Sequence, residues 1–136
     1  MLKALMFLLL SSTFVFAGDL IRSKNSVIDI KHHLQWQDTA DMEENDAIWK
    51  MQKAHCQGLH LSGFNDWRLP TKEELSALAK SKEAKKVFLH LSDHLFWSGE
   101  ENPQDDINAF TVYMPNGYIS SSDKCEKNHS LCVRSR

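Results

Sequence analysis

Residues 65–71 read NDWRLPT, and the residues behind this stretch predict the start of a helix. Thr71 and Glu74 have the spacing of a capping box, in which the threonine hydroxyl accepts a hydrogen bond from the N–H of Glu74. The glutamate carboxylate accepts one from the N–H of Thr71 in return. Pro70 stands before the cap and keeps Leu69 extended. The stretch therefore predicts an extended segment that turns sharply into a helix.

Asp66, Trp67 and Arg68, at the centre of this stretch, have two interpretations. They could line a pocket, or they could hold the fold together. Tryptophan is a large apolar anchor, and a buried arginine needs a carboxylate partner, which Glu74 or Asp66 could provide. We favour the structural interpretation. The residues assigned to this structural motif are Asp66, Trp67, Arg68, Pro70, Thr71 and Glu74.

The first 17 residues have the pattern of a secretory signal peptide. Lys3 supplies a positive charge, residues 5–16 are nearly all apolar, and small residues stand where a signal peptidase would cleave after Ala17. The apolar run is too short to span a bilayer. The pattern predicts export to the periplasm or the extracellular space, with a mature chain of residues 18–136 that has the size of one domain.

The charge balance excludes one class of partner. The chain has 16 basic and 18 acidic residues, and Lys3 lies in the predicted leader, so 15 basic residues face 18 acidic ones in the mature chain. An acidic chain has no general attraction for nucleic acid. We therefore expect no nucleic-acid partner, and we expect no membrane span in the mature chain.

Three cysteines, Cys56, Cys125 and Cys132, follow the leader. Disulfides persist outside the cytoplasm, so one bridge and one leftover thiol is the simplest arrangement. A zinc site would need cysteines and histidines at short, fixed spacings, and the sequence does not contain such a set. The residues alone leave open which two cysteines are bridged.

Hydrophobic periodicity predicts strands at both ends of the chain. Short β-branched or aromatic runs predict a first strand pair. Alternation returns in the last third of the chain, around a Pro-Asn-Gly turn at residues 115–117 where the glycine can take positive φ. The predicted strands are residues 27–30, 34–37, 95–98, 109–114, 118–120 and 131–134.

Two helices are expected between these strands. The first begins at Asn45 or Asp46 and stops near Gly58. The second begins behind Thr71 and continues as a charged, solvated segment to Lys86. The apolar positions at helical spacing in the first helix are Ala47, Ile48, Met51 and Ala54. The element order predicts an α+β domain with two helices packed on short antiparallel sheets.

Several short motifs follow one another in a specific order along the chain. They are the NDWRLPT stretch behind Gly63-Phe64, a downstream Trp97-Ser98, an Asn-Gly-Tyr turn and a terminal Cys-Val-Arg. This order resembles the Lcl C-terminal domain family over residues 27–134. The resemblance implies a single domain with a C-type-lectin-like fold. It also implies a binding or adhesive role, since the founding member is a collagen-like bacterial adhesin said to bind sulfated glycosaminoglycans.

The resemblance also implies a disulfide. In the family, a helix cysteine pairs with the cysteine of the terminal Cys-Val-Arg, which here means Cys56 with Cys132 and leaves Cys125 over. The rival pairings are Cys125–Cys132 and Cys56–Cys125. Cys125 is one departure from the family pattern, together with Gly99 after Ser98 and Leu131 before the last cysteine. These departures concern the choice of ligand rather than the fold.

A shorter likeness, R-L-P-T-x-x-E, is shared with the formylglycine-generating (sulfatase-modifying) enzymes, which also have a lectin-like fold. In those enzymes, a cysteine pair and a copper ion carry the reaction. Cys125 and Cys132 superficially suggest such a pair, but the chain is too short to build that active site around them. We expect no catalytic residues, and a small oxidase of this type is the alternative.

The acidic loop at residues 100–108 is the candidate metal site. Lectin-like folds that bind calcium place carboxylates and amides around a proline in a long loop, and hard oxygen ligands suit calcium. Glu101, Asn102, Asp105 and Asp106 have this chemistry. The second acidic cluster that such a site takes from a neighbouring strand is not evident in the sequence. We expect no cofactor other than this candidate calcium ion.

Aromatic side chains are the candidate ligand contacts. Trp97, Tyr113 and Tyr118 come from strands that should meet, and exposed members of such a set can stack on sugars, whereas buried members only add to the core. No serine stands at motif spacing from a histidine base. We predict an exported binding or adhesion module whose partner is a glycan or an envelope protein. The alternative is a structural subunit of an envelope assembly.

Overall fold

A computed structural model describes residues 18–136, and the predicted leader lies outside the described residues. The described chain folds into seven strands and three helices, in an order that mixes the two types. The strands are β1 Leu20–Ser23, β2 Ser26–Asp29, β3 Leu34–Gln37, β4 Leu95–Glu101, β5 Asn108–Tyr113, β6 Tyr118–Asp123 and β7 Val133–Ser135. The helices are α1 Trp49–Gln57, α2 Lys72–Lys80 and α3 Lys82–Val87.

The first sheet joins the two ends of the domain. Its strand order is β1-β2-β3-β7, and all neighbouring strands are antiparallel. β2 and β3 form the predicted strand pair, with Val27 opposite Trp36. β7 pairs with the other side of β3 and places Val133 opposite Trp36. β1, which periodicity does not predict, forms an outer edge of this sheet.

The second sheet has the strand order β4-β5-β6. The predicted hairpin joins β5 to β6, with Tyr113 opposite Tyr118 and Gly117 in the turn at φ +77°. β4 extends to Glu101, so the beginning of the predicted acidic loop belongs to a strand. Its pairing with β5 is irregular between Trp97 and Glu101, where the register shifts.

The start of α1 differs from the prediction. The helix begins at Trp49 and not at Asn45 or Asp46. Ala47 instead forms a β-bridge with Asn128, in which each backbone N–H donates to the carbonyl of the other residue at 3.1 and 3.0 Å. A partner more than 80 residues away thus holds this segment extended, because tertiary contacts override local helix propensity.

The buried face of α1 does not carry Met51 and Ala54, two of the apolar positions at helical spacing. Trp49, Gln52 and Cys56 are buried, whereas Met51 is 62% exposed and Ala54 faces solvent. The helix thus turns the side chains of Trp49 and Cys56 towards the core. That face removes more apolar surface from water than Met51 and Ala54 would, which is the dominant favourable term in packing.

α2 begins where the capping box predicts. The N–H of Glu74 donates to Oγ1 of Thr71 at 3.0 Å, and the N–H of Thr71 donates to Oε1 of Glu74 at 2.8 Å. The buried face of the helix carries Leu75, Leu78 and Ala79. This element was predicted correctly because both partners of its cap lie within one helical turn.

The charged segment behind α2 is a separate third helix, so the expectation of two helices was wrong. α2 ends at Lys80, and Ser81 leaves the helical conformation at ψ 117°. Oγ of Ser81 then accepts a hydrogen bond from the N–H of Ala84 at 3.1 Å and caps α3. Serine is a favoured N-cap residue because its hydroxyl competes for backbone hydrogen bonds.

Two apolar clusters fill the domain. The larger cluster joins α2 and α3 to both sheets, and the smaller one surrounds the disulfide described below. Large members of the first cluster are Trp36, Leu75, Phe96, Val112, Leu131 and Val133. The second cluster contains Trp49, Trp67, Leu69, Trp97 and Ala109 with the two bridged cysteines. Across residues 18–136, the helices are all too short or too polar to traverse a bilayer.

Candidate ligand-binding site

The NDWRLPT stretch connects α2 to the last strand. Arg68 donates from Nη1 to Oε1 of Glu74 at 2.8 Å and from Nη2 to Oε2 at 3.0 Å, a two-pronged geometry that matches guanidinium to carboxylate. Of the two partners expected for Arg68, the fold uses Glu74. The backbone of Arg68 also exchanges two hydrogen bonds of 2.8 Å with Val133 of β7. The stretch therefore holds the helix and the first sheet at a fixed distance.

The ion pair changes the pKa of both partners. Burial raises the pKa of the Glu74 carboxyl, but hydrogen bonds from Arg68 and from the N–H of Thr71 outweigh burial, so the net pKa lies below its ordinary value. The hydrogen bond to Glu74 raises the pKa of the Arg68 guanidinium. Both groups are therefore charged at neutral pH, and both are already engaged in the fold.

Asp66 and Trp67 also have partners within the fold. Asp66 accepts a hydrogen bond from Nε of Arg134 at 2.7 Å, which holds the pKa of Asp66 below its ordinary value. Trp67 is buried, and its indole N–H donates to the carbonyl of Leu61 at 3.1 Å. Pro70 is fully buried. The contacts of the stretch are those of a structural motif.

Cys56 and Cys132 form a disulfide, with their Cα atoms 5.4 Å apart. This is the pairing that the family resemblance implies. Both residues are completely buried, and Cys125 is a free, exposed thiol. Cys132 is thus bonded to Cys56 and not to Cys125.

A lysine occupies the acidic loop. Nζ of Lys124 donates to Oε1 of Glu101 at 2.9 Å and to the backbone carbonyl of Asp106 at 2.5 Å. The hydrogen bond from Lys124 lowers the pKa of Glu101. The ammonium group therefore sits where the sequence places a calcium ion, and it already neutralises one of the predicted ligands.

Asp105 and Asn102 bond to neighbouring residues of the loop itself. Asp105 accepts hydrogen bonds from the N–H of Ile107 at 3.1 Å and from the amide of Asn108 at 2.6 Å. Asn102 accepts one from the N–H of Gln104 at 3.1 Å. Within residues 18–136, there is no group of three or more His, Cys, Asp or Glu side chains that could hold a metal ion. The calcium site predicted at Glu101, Asn102, Asp105 and Asp106 stays a prediction, and the side chains of Glu101, Asn102 and Asp105 already accept hydrogen bonds within the protein.

Trp97 is not an exposed ligand contact, so this part of the prediction was wrong. The residue is fully buried, and its indole N–H donates to the carbonyl of Ala47 at 3.0 Å. It packs in the smaller cluster beside Trp49 and Trp67. β4 turns this side chain towards α1 and the disulfide, where it has no access to solvent.

Tyr113 and Tyr118 form an exposed aromatic pair. They lie opposite each other on β5 and β6. Directly opposed residues of an antiparallel pair project from the same face with their Cβ atoms about 5 Å apart. Tyr118 is 68% exposed and Tyr113 is 39% exposed. The end of the hairpin therefore presents two neighbouring tyrosine rings to solvent.

A groove of about 380 Å³ lies between this hairpin and α2. We call it the tyrosine groove, and it is lined by Ser76, Lys80, Asn116, Gly117, Tyr118 and Ile119. The amide oxygen of Asn116 accepts a hydrogen bond from the N–H of Tyr118 at 2.9 Å, so the N–H₂ group is the part that can donate to a ligand. Aromatic, amide and ammonium groups thus converge on one concave surface.

Gly117 allows the turn to approach the helix this closely. A Cβ atom at this position would lie 2.9 Å from Cγ of Lys80 and 3.0 Å from the carbonyl oxygen of Ser76. The φ of +77° is also in the region that favours glycine. Oγ of Ser76 donates to the carbonyl of Gly117 at 2.7 Å and fastens the turn to the helix.

Two lysines give the tyrosine groove a positive rim. Lys80 lines the groove, and Nζ of Lys85 donates to the carbonyl of Pro115 in the same turn at 2.7 Å. The long aliphatic stems of such side chains cover the surface while their charged ends remain in water. The tyrosine groove therefore combines positive charge, polar groups and one exposed aromatic ring.

The family model of the Lcl C-terminal domain matches residues 25–134. The chain belongs to this family. The structure is similar to the crystal structure of botrocetin, with a TM-score of 0.51 and 10% sequence identity over 88% of this chain and 98% of that chain. At this identity the similarity shows the fold alone, which is the predicted C-type-lectin-like α+β fold. A search of curated proteins finds no match to this chain.

Most of the groove of this Lcl C-terminal domain is not predictable from the sequence. Tyr113 and Tyr118 were predicted as ligand contacts, whereas Lys80 and Lys85 have the pattern of a solvated helix face and Asn116 that of a turn residue. The Asn-Gly turn was the one local sequence feature that pointed to this groove, because a tight turn lets its flanking residues approach a neighbouring element closely. The sequence does not show that this neighbouring element is α2, because that contact belongs to the tertiary structure.

Proposed function

We propose that this Lcl C-terminal domain is an exported binding module that recognises a glycan with acidic groups through the tyrosine groove. The observation that carries the proposal is the exposed ring of Tyr118 beside a groove whose rim holds two lysines. The family and the lectin-like fold support a binding-type module. The ligand and the groove are our assignment.

The chemistry of the groove fits a sugar. The face of a pyranose ring is apolar and can lie flat on the tyrosine ring, which combines an apolar body with a polar tip. Hydroxyl groups at the ring edge would accept hydrogen bonds from the amide of Asn116. A volume of about 380 Å³ is near the lower end of the range for small-molecule sites. The groove therefore suits one or two sugar units of a longer chain.

The charges near the groove favour an acidic sugar. The whole chain has a formal net charge of −2, which by itself would repel a sulfate or a carboxylate. Lysines concentrate at the end of α2 and in α3, at positions 80, 82, 85 and 86. Charges act over about 8 Å at physiological ionic strength, so Lys80 and Lys85 act on a ligand in the groove more strongly than the net charge of the chain does.

Glycan-array binding of the mature protein tests the proposal, with sulfated, uronic-acid and neutral oligosaccharides on the same array. Tyr118→Ala should weaken binding about tenfold, the loss expected for an aromatic contact of about 1.4 kcal/mol. Lys80→Gln should weaken binding only to acidic glycans and should flatten the dependence on salt. The matched controls are Met51→Ala and Lys50→Gln, which change exposed residues of α1 away from the groove.

Three results would overturn this assignment. The first is binding that Tyr118→Ala does not change. The second is an equal loss in the Met51→Ala control. The third is a failure of the folded protein to bind any glycan on the array, which would turn attention to a protein partner.

A structural subunit of an envelope assembly is the second candidate, and one observation favours it. β1 forms an outer edge of the first sheet, and Ile21 on this strand is 44% exposed. An edge strand can pair with a strand of another chain. Ile21→Lys would block such an addition and leave the tyrosine groove intact. A partner that raises the melting temperature of the parent protein, and does not raise that of Ile21→Lys, would support this role.

Export and the absence of catalysis are also proposals. A buried disulfide supports an oxidising compartment, in agreement with the predicted leader. Amino-terminal sequencing of the exported protein should begin at Gly18. The engaged state of Cys132 argues for a binding module rather than an oxidase of the formylglycine-generating type. If the parent protein forms formylglycine in a sulfatase-derived peptide and the Cys125→Ser variant does not, this result would favour the enzyme.

A further inference from the structure

The two sheets have four outer edges, formed by β1 and β7 in the first sheet and by β4 and β6 in the second. An outer edge strand presents unpaired backbone N–H and C=O groups, to which a strand of another chain can bind. Other parts of the chain cover β4 and β7. The N–H of His129 donates to the carbonyl of Leu95 at 3.1 Å, and the carbonyl of His129 accepts the N–H of Trp97 at 2.9 Å. Arg68 and Val133 exchange two hydrogen bonds of 2.8 Å at β7.

The second edge of the second sheet, β6, has outward backbone groups without a partner. The N–H of Lys124, directly after β6, donates to the carbonyl of Ile107 at 2.9 Å. The hydrogen-bonded positions of an antiparallel pair alternate, so the backbone groups of Ile119, Ser121 and Asp123 point away from β5. Within residues 18–136, the N–H and C=O groups of Ile119 and Ser121 make no hydrogen bond. β6 is therefore the open edge of this sheet.

β6 also lacks the features that usually protect an edge strand. Such strands carry lysine, proline or a bulge, which hinder the addition of another strand. Residues 119–122 read Ile-Ser-Ser-Ser, and their register with β5 is regular. At the edge formed by β1, by contrast, Oε1 of Glu83 accepts the N–H of Leu20 at 3.1 Å. With six residues, β6 thus offers a longer uncovered edge than β1, which has four.

We propose that β6 pairs with β6 of a second copy of this chain, in antiparallel orientation around a two-fold axis at Ser121. Ser121 then bonds to Ser121 of the second copy, and Ile119 bonds to its Asp123, with about six backbone hydrogen bonds in all. The carbonyl of Asp123 already accepts the N–H of Glu126 at 2.9 Å, and its second lone pair remains available. A two-fold axis at any other residue of β6 would use fewer of the outward groups. The two β4-β5-β6 sheets thereby form one continuous sheet.

The side chains of β6 suit this self-pairing. Each opposed pair contains at most one charged residue: Tyr118 faces Lys124, Ile119 faces Asp123, and Ser120 faces Ser122 of the second copy. Like charges directly opposite each other would destabilise the pairing. Ser121 is exposed, and its small side chain leaves room for its own copy at the two-fold axis. The pattern of β6 is thus complementary to itself, which is why we assign a second copy of the chain as the partner.

The dimer would contain two tyrosine grooves. Tyr118 belongs both to β6 and to the lining of the groove. In the proposed register, the two copies of Tyr118 lie about 20 Å apart along the paired strands, at about 3.4 Å per residue. A long glycan chain would then bind both grooves at once, which raises its overall affinity. This consequence rests on the proposed function, whereas the dimer itself does not.

Sedimentation equilibrium of the mature protein tests the pairing without any ligand, so its result does not depend on the tyrosine groove. The concentrations run from about 10 µM to about 1 mM, because a contact of one strand is smaller than a standard interface and binds weakly. All proteins carry Cys125→Ser, so that no disulfide through this exposed thiol joins two chains. The average mass of the parent protein should rise from that of one chain towards that of two.

Charge variants at the two-fold axis make the test specific. Ser121→Lys and Ser121→Asp should each weaken the dimer at least about fivefold, because two like charges then face each other. An equimolar mixture of the two variants should form the dimer again, because a positive charge on one chain faces a negative charge on the other. The matched control is Ser23→Lys, which changes an exposed serine of β1 and should dimerise as the parent protein does.

Hydrogen exchange locates the contact. The amide of Ser121 should exchange at least about threefold more slowly at about 1 mM than at about 50 µM, whereas that of Ser120, which bonds to β5 within each copy, should not change. A parent protein that remains monomeric throughout, or an unchanged exchange rate at Ser121, would overturn the proposal. The same holds for a dimer that both charge variants leave intact and for a mixture of them that remains monomeric. A dimer that Ser23→Lys removes would assign the contact to β1 instead.

Discussion

Arg68 and Glu74 are joined by two parallel hydrogen bonds, of 2.8 and 3.0 Å, across the first turn of α2. The same carboxylate accepts the N–H of Thr71 at 2.8 Å and closes the capping box. One side chain therefore both starts the helix and ties the preceding extended segment to it. These two roles can be separated, since one needs a hydrogen-bond acceptor and the other needs a charge.

Glu74→Gln separates them. Glutamine can complete a capping box but carries no charge. We expect the free energy of unfolding to fall by about 1 kcal/mol at pH 7, since the pair is partly screened by solvent. The folded-state pKa of Glu74 lies below its ordinary value. The charge contribution is therefore present above the unfolded pKa of about 4.3 and is lost as the pH falls through the folded pKa.

Urea unfolding from pH 7 to pH 3 measures this difference. The stability of the parent protein should fall in acid more steeply than that of Glu74→Gln, so that the two curves approach each other. A constant gap across the whole range would show that the ion pair contributes nothing and that the variant acts through the cap.

Thr71→Ala should destabilise the domain by about 1 kcal/mol, because it removes the acceptor for the N–H of Glu74 at the helix N-terminus. Thr71→Ser is the matched control, since serine keeps the hydroxyl. Thermal or urea unfolding compares the three proteins. Equal losses in both variants would mean that the methyl group of Thr71, and not its hydroxyl, matters here.

Reduction or loss of the Cys56–Cys132 bridge should strongly destabilise the domain. The two cysteines are separated by 76 residues, and a loop of this length corresponds to about 4 kcal/mol in the chain-entropy model. Cys56→Ser and Cys132→Ser should lower the yield of folded exported protein, whereas Cys125→Ser should leave it unchanged. Non-reducing peptide mapping identifies the bridge directly, and a peptide linking Cys125 to Cys132 would refute this pairing.

Gly117→Ala should destabilise the domain more than Gly63→Ala. Both glycines have positive φ, at +77° and +79°, so both variants incur the cost of the left-handed region, about 1 kcal/mol. A Cβ at Gly63 meets nothing within 4 Å, whereas one at Gly117 lies 2.9 Å from Cγ of Lys80. The difference between the two melting temperatures therefore measures the contact between the hairpin and α2. Gly117→Ala should also weaken glycan binding by displacing the wall of the tyrosine groove.

Features whose interacting groups lie close together along the chain were predictable from the sequence. The start of α2 depends on Thr71 and Glu74, three residues apart, and both capping bonds are present. The β5–β6 hairpin depends on a turn of a few residues with Gly117 at positive φ. The family resemblance added the lectin-like fold and implied the bridge, which local periodicity could not provide.

Features that depend on distant partners were not predictable in this way. Ala47 is held extended by Asn128, and this contact moves the start of α1. Trp97 has the local pattern of a strand aromatic that could face either way, and burial beside Trp49 and the disulfide decided its direction. Lys124, which directly follows β6, donates hydrogen bonds to Glu101 and to the carbonyl of Asp106 in the acidic loop, and no local sequence pattern predicts this contact.

The sequence by itself thus determined where α2 begins, where the β5–β6 hairpin turns and which segments form the strands other than β1, because backbone preferences and caps act within a few residues. Only the tertiary structure decided which aromatic rings remain exposed and which polar groups remain without a partner. Tyr118 is open because its hairpin ends beside α2, and the Trp36 indole is unpaired because none of the elements packed around it in the described chain offers an acceptor. Burial and hydrogen-bond satisfaction are properties of neighbours in space, which come from segments far apart along the chain.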